Sequence, residues 1–323
     1  MSVLTFAVTE AEARHRLDTI ISKRVPGLSR SHAARLIRTG YIVVNHLKQK
    51  PAYLVKCGDV VQTELPVSQP IKAKPEPIPL SILYEDADII ILNKPAGVVV
   101  YPAPGHRSGT VVNALLYHYQ NLEGIESELR PGIVHRLDKD TSGALIVAKN
   151  TIAHESLCSQ FKERQVQKLY LALVYGNMKG SSGVIKLPIG RHPADRKKMS
   201  TKARKTRSTE TRWRVKERFQ GITLLEVDLR TGRTHQIRVH CAATGHPVVG
   251  DTTYGGKRKW KEFRSRQMQD TIRSVPRQML HAWQVEFIHP RLGHVMHFTS
   301  PIPEDMSSVI NSLRSIASEG LYL

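Results

Sequence analysis

Apolar and polar positions follow two periods along this chain. In "RHRLDTIISKRV", Leu17, Ile20 and Ile21 recur at helical spacing. "LSRSHAARLIRTG" reads as a second helix, with Ser29 or Ser31 as its N-cap and Gly40 as a left-handed stop. "YIVVN" and "YLVKCGDVVQTEL" follow as short strands, completing a small α+β unit over residues 1–65. Residues 66–79, "PVSQPIKAKPEPIP", carry five prolines, which neither pair in a sheet nor continue a helix, and predict an extended, semi-stiff linker. From Leu80 to the end, residues 80–323, strands and helices mix without the alternation of a doubly wound fold. "ADIIILNKPAGVVV" predicts strand, turn and strand; "KLYLALVYG", "TETRWRVKERF" and "ITLLEVDL" predict strands. "MLHAWQVEFIHP" and "HVMHFTS" predict a late strand pair. "TVVNALLYHYQ", "AHESLCSQFKERQ", "THQIRVHCAATG" and "MSSVINSLRSIAS" predict helices. The expectation is an α+β fold around a large mixed, mainly antiparallel sheet, with a small α+β unit ahead of it.

One stretch does not behave like ordinary core. In "GIVHRLDKDTSGALIVAKN", two apolar runs read as buried strands, yet the segment joining them holds His135, Arg136, Asp138, Lys139 and Asp140. A carboxylate with a cation beside it keeps its charge when partly buried, and a desolvated carboxylate serves as nucleophile or base. Turn chemistry alone explains "DTSG" equally well. A second polar cluster, "LRTGRTHQIRVH", shifts the balance, because Arg230, Arg233, His235, Arg238 and His240 lie between a strand and a helix. An arginine at a helix start opposes the macrodipole and needs a reason, such as an acidic side chain or a phosphate.

Charge adds a partner. With 48 Lys+Arg against 28 Asp+Glu, the 323-residue chain carries a formal +20, which favours a polyanion such as nucleic acid. "RHPADRKKMSTKARKTR" and "GGKRKWKEFRSRQ" are basic loops between strands. Trp260 and Phe263 in the second are placed either to stack on bases or to anchor the loop. Arg30, Arg35 and Arg38 put a basic face on the second helix, suited to phosphates. Cys57, Cys158 and Cys241 are scattered without metal-ligand spacing, and His235 and His240 stand five apart rather than four, so no metal is expected. No apolar run reaches the length of a membrane span and the N-terminus lacks a signal-peptide pattern. A cytoplasmic, reduced, monomeric protein that does not engage membranes is the expectation.

Two resemblances sharpen this reading. "RLDTIISKRVPGLSRSHAARLIRTGYIVVN", followed by Gly58-Asp59, resembles the αL RNA-binding domain first described in a small-subunit ribosomal protein, over most of residues 15–63. "HRLDKDTSG", "KLYLALVYG", "RTGRTHQIRVH…GHPVVGD" and "RQMLHAWQVEFIHP", in that order over residues 80–302, resemble the RluA-type pseudouridine synthases, in the branch that includes RluD and RluC and leaning toward RluD. The resemblance implies that Asp138 is the essential aspartate. Tyr170 would pack against the target base, Arg238 would pair with Asp138, and Arg136 would contact RNA or fill the space left by the flipped base. Arg30, Arg35, Arg38 and Arg233 would be further RNA contacts. It implies isomerisation of uridine in RNA, most of all large-subunit ribosomal RNA or its assembly intermediates, with no cofactor. A departure is Tyr101 in "VVVYPAPGH", where the family pattern has the His of "HPG". His135 is expected as scaffold, Thr141 or Ser142 as supports of the Asp138 backbone, and Gly143 for its missing side chain. The rival readings are a non-catalytic RNA-binding or ribosome-assembly factor on the same scaffold, and a metal-dependent nuclease using Asp138 and Asp140.

Overall fold

The structure, a computed structural model, describes residues 2–25, 28–65, 73–103, 105–119, 122, 130–195, 197–255 and 259–319. It divides into two compact units, Met1–Pro70 and Ile71–Leu323. The first holds β1 (Ser2–Ala7), α1 (Leu17–Arg24), α2 (Arg30–Thr39), β2 (Ile42–Val44) and β3 (Val60–Leu65), its strands ordered β1-β3-β2 and antiparallel. Ser29 is the cap of α2, accepting from the His32 amide at 3.3 Å, and Gly40 ends the helix at φ +84°. Leu17, Ile20 and Ile21 meet Ala33, Leu36 and Ile37 in a dry cluster; each aliphatic side chain so buried contributes roughly 1.5–3 kcal/mol. The unpredicted β1 is held by pairing along its whole length with β3.

The second unit contains β4 (Ile82–Glu85), β5 (Ile89–Lys94), α3 (Val111–His118), β6 (Ser142–Ala148), α4 (Thr151–Glu163), β7 (Gln167–Tyr175) and β8 (Ser182–Ile185). Short strands β9 (Ile189–Arg191), β10 (Met199–Ser200) and β11 (Thr206–Arg207) then form a sheet of their own. The chain continues through β12 (Thr211–Phe219), β13 (Ile222–Leu229), α5 (Gln236–Ala243), α6 (Arg266–Arg273), β14 (Leu280–Ile288), β15 (Val295–Thr299) and α7 (Glu304–Glu319). The large sheet runs β4-β5-β6-β14-β7-β13-β12-β8, with β15 beside β14. Its pairs are antiparallel except β6 with β14, so it is mixed and mainly antiparallel.

β7 lies at its centre and is buried on both faces. Tyr170, Ala172 and Val174 face the cluster that includes α3 and α5, while Leu171, Leu173 and Tyr175 face the one that includes α6 and α7. This placement aims one end of β7 at the site. Among the described residues no helix is long and apolar enough to cross a membrane.

Four local expectations come out differently. Only the second apolar run of "GIVHRLDKDTSGALIVAKN" is a strand, β6. Residues 132–134 contribute a single bridge, Ile133 to Val147, because Gly132 turns at φ +69° and the His135 ring takes the Ile146 amide at 2.8 Å. Likewise "VVV" at residues 98–100 makes only the bridge Val99 to Thr110. Part of the first basic loop folds as β10 and β11, and the second leads into α6, with Trp260 and Phe263 packed against the core, so these rings anchor their segment. Of the proline-rich segment, residues 66–72 lie outside the described residues. Residues 73–79 run along α3: Asn113 Nδ2 donates to the Lys74 carbonyl at 2.7 Å, the Glu76 amide to the Asn113 carbonyl at 2.9 Å, and His118 Nε2 to the Ile78 carbonyl at 2.9 Å. An extended proline-rich backbone has unpaired carbonyls, and α3 supplies donors for two of them.

Candidate active site

The polar segment before β6 is a loop pinned by its backbone. The Thr141 amide donates to the Asp138 carbonyl at 3.1 Å. Lys94 Nζ donates to the Lys139 carbonyl at 3.0 Å, and to those of Pro95 and Val98. Arg277 Nη1 donates to the Asp140 carbonyl at 3.0 Å while its other nitrogens grip Asp305. Lys94 is only 1% exposed, and burial pushes its ammonium down to about 7. Thr141 thus supports the Asp138 backbone as expected, through its amide, while the Thr141 and Ser142 hydroxyls turn elsewhere. Thr141 accepts from Gln278 Nε2 at 3.1 Å, and Ser142 Oγ lies 2.9 Å from His281 Nδ1. Gly143 allows β6 and β14 to touch: its φ is +116°, and a Cβ there would collide with the Ala282 carbonyl.

This loop delivers Asp138 to the start of α5, where Arg238 meets it. Arg238 Nη1 donates to Asp138 Oδ2 at 3.0 Å. The same guanidinium turns its other edge to Asp251, with Nε to Oδ2 at 2.7 Å and Nη2 to Oδ1 at 3.0 Å. Two carboxylates thus share one arginine, and the bidentate one is wholly buried. Burial works against the Arg238 charge, but the bonds to Asp251 and Asp138 outweigh it and raise the guanidinium above its ordinary value. Asp251 also accepts from the Thr253 and Tyr254 amides, so the turn after "GHPVVGD" is built around it. Sequence reasoning assigned Asp251 no part, although it closes a motif already singled out. Lys94 and Arg277 were missed as well, although Lys94 is a cation ending an apolar strand pattern and Arg277 opens the motif "RQMLHAWQVEFIHP" already singled out.

Tyr170, Asp138, Arg136, Arg233, His235 and Arg238 line one small cavity of about 60 Å³. Tyr170 is 6% exposed; burial, with the nearby Asp138 charge, pushes its phenol up, so it stays a protonated donor. His235 caps α5 in the left-handed region at φ +57°, its Nδ1 2.7 Å from the Tyr254 hydroxyl and its Nε2 3.9 Å from Asp138 Oδ1. Burial lowers its pKa, opposed by Asp138, and the imidazole stays neutral at physiological pH. His240 lies elsewhere, among Thr209, Thr211 and the Leu187 carbonyl. His135 stacks on Phe161 at 4.9 Å and is pushed down to about 3 by burial and Lys168, a neutral scaffold residue. At the cavity's edge Arg136 Nη1 donates to the Tyr101 hydroxyl at 2.8 Å, and the Arg130 guanidinium lies 4.4 Å from the centre of the Tyr101 ring. The residue that departs from the family pattern therefore holds an arginine of the site.

On the first unit, Arg30, Arg35 and Arg38 lie on the exposed face of α2. Arg35 Nη2 donates to His32 Nε2 at 2.9 Å, and Arg30 Nε stands 3.2 Å from the buried Asp18.

A carboxylate held by an arginine, in a cavity that a protonated phenol also lines, on a strongly basic chain with a further basic unit, fits an enzyme that handles nucleic acid. Comparison with known proteins agrees. Residues 88–243 match the family described as RNA pseudouridylate synthase, and residues 15–61 match the S4 domain. A Bacillus subtilis protein named "Uncharacterized RNA pseudouridine synthase YlyB" is 42% identical over 97% of this chain and 99% of its own length. "Ribosomal large subunit pseudouridine synthase D" of Pseudomonas aeruginosa is 42% identical over 93% of this chain and 92% of its own. The solved structure "Human RNA Pseudouridylate Synthase Domain Containing 1" superposes with a TM-score of 0.54 at 28% identity, over 73% of this chain and 95% of that one. The chain belongs to the RNA pseudouridylate synthase family, with an S4 domain at its N-terminal end. It is an isomerase whose substrate is RNA. Nothing in these similarities favours a non-catalytic binding factor.

Proposed function

We propose that this enzyme converts particular uridines of large-subunit ribosomal RNA to pseudouridine, as a cytoplasmic monomer acting on rRNA or its assembly intermediates. The relatives named for the large ribosomal subunit support the choice of RNA. The observation that carries the site assignment is the Asp138–Arg238 pair, 3.0 Å apart in the cavity that Tyr170 also lines.

The target nucleotide leaves its stack, at a cost of a few kcal/mol, and enters that cavity. The reaction breaks the bond between ribose carbon 1′ and uracil N1, turns the base, and joins carbon 5 to carbon 1′. The proton lost from carbon 5 is balanced by one gained at N1, so no outside reagent is consumed. Asp138 acts at the ribose, by attack on carbon 1′ or by removing the carbon 2′ proton. Arg238 fixes its direction and balances its charge. Tyr170 packs on the base, and its hydroxyl relays the carbon 5 proton. Arg136 and Arg233 hold RNA at the cavity edge, while Arg30, Arg35 and Arg38 of the S4 domain contact phosphates.

The test uses large-subunit rRNA transcribed with tritium at uridine carbon 5. Wild-type enzyme is expected to release tritium, and Asp138→Asn to release none above background. Release from transfer RNA but not from rRNA would remove the substrate assignment; turnover by Asp138→Asn would remove the role of Asp138.

A further inference from the structure

Beside the reaction cavity lies a second, larger one of about 410 Å³, within the usual range for ligand sites. The two share Arg136, Tyr170, Leu229, Gly232 and Arg233 as walls, so a chain leaving the first enters the second. Six cations line it, Arg136, Lys162, Arg164, Lys168, Arg230 and Arg233, and among the described residues no carboxylate does. Of the six, Arg230 is the one with a carboxylate within ion-pair distance among those residues, Asp228 at 3.0 Å. Glu163, between Lys162 and Arg164 in sequence, accepts from Ser159 and Gln165 and is not part of the lining. Lys168 Nζ lies 5.1 Å from the centre of the Phe161 ring and close to Gly232, where a Cβ would stand 3.9 Å from it. A half-buried ammonium without a partner carboxylate is costly in the empty protein, and an anion relieves that cost.

We infer that this groove is a subsite for the phosphodiester backbone of the RNA strand on one side of the target uridine, with Lys162, Arg164 and Lys168 as its phosphate contacts. The inference rests on the reaction cavity receiving the flipped uridine. Burial pushes the Lys168 ammonium down to about 8, against the pull of Asp228, and an adjacent phosphate would raise it again.

Two variants of the full chain test this. Lys162→Ala with Arg164→Asn changes exposed side chains only, and asparagine tolerates the left-handed conformation of Arg164 at φ +62°. Lys168→Met removes the inner cation. With tritiated large-subunit rRNA, each variant is expected to raise KM about fivefold or more and leave kcat within about twofold. The slope of log KM against log salt should fall by about 0.7–0.9 per cation removed. Once the modified uridine is located, an RNA with one uncharged methylphosphonate beside it should weaken wild type but not weaken the double variant further. Unchanged KM and salt slope, or losses that simply add at every neighbouring phosphate, would overturn the subsite. Should Lys168→Met fail to fold, the exposed double variant decides. Should wild type release no tritium, the substrate reading fails, and filter binding of the same RNA still tests the groove through its salt slope.

Discussion

Arg238 and the arginines of α2 are one residue type in two opposite settings. The Arg238 side chain is 7% exposed and fixed between two carboxylates; that of Arg30 is 56% exposed and touches one. A buried guanidinium has a single geometry, set by partners it cannot leave without stranding a charge. Exposed guanidiniums on a helix face are screened, mobile and tolerant of any phosphate. On the proposed assignment, the chemistry falls where water is scarce and the general grip on RNA where water is plentiful.

The contrast is broken most severely at Arg238. Arg238→Met leaves Asp251 buried without its cation and is expected to cost about 3–5 kcal/mol in urea unfolding, along with all measurable turnover. Arg238→Lys restores the charge but not the fork. It should recover part of the stability and still turn over about 100-fold more slowly than wild type. The two partners of the same arginine then separate structure from chemistry. Asp251→Asn should lower stability by about 1–3 kcal/mol, whereas Asp138→Asn, at a 14% exposed carboxylate, should leave unfolding nearly unchanged while abolishing turnover. Equal stability losses would show that the two carboxylates are not divided in this way.

A milder effect should come from acid. His281 is fully buried between Ser142 and the Ser300 carbonyl, and burial, opposed by that carbonyl, lowers its pKa to about 4 from 6.5. The unfolded chain takes up this proton first, so stability is complete above about pH 6.5. The His281 share should fall by about 1.4 kcal/mol per unit between there and pH 4, beside a like share from His135, which burial pushes down to about 3. His281→Asn should make the measured slope shallower by about that amount in thermal melts across the same window. The smallest change belongs to the exposed set. Arg35→Ala and Arg38→Ala should each alter stability by less than about 0.5 kcal/mol and reduce the salt slope of RNA binding by about one, with kcat unmoved.

Much of the frame was legible in the residue pattern. The cap at Ser29, the stop at Gly40, the central strand β7 and the late pair β14–β15 follow from local periodicity and turn chemistry, which neighbouring residues alone impose. Asp138 and Arg238 were legible as a pair only through the family resemblance of "HRLD" and "QIR", since the residue pattern alone left five candidate cations open. Asp251 was not, since its partner lies 13 residues away and a lone Asp after Gly reads as a turn. His135 taking the Ile146 amide was equally hidden: a side chain replacing a strand neighbour leaves no period in sequence.

By itself the sequence determined the two-part organisation, the cap and stop of α2, the apolar runs that become the buried strands and the family to which the chain belongs. These depend on short-range sterics and on motifs whose residues are contiguous. Only the tertiary structure decided that Arg238 serves two carboxylates, that Tyr101 holds Arg136, that Lys94 and Arg277 pin the loop of Asp138, and that cations from α4, β7 and the segment after β13 share one groove. Each is a meeting of side chains distant in sequence, fixed by the order in which strands join the sheet, and no local pattern encodes that order.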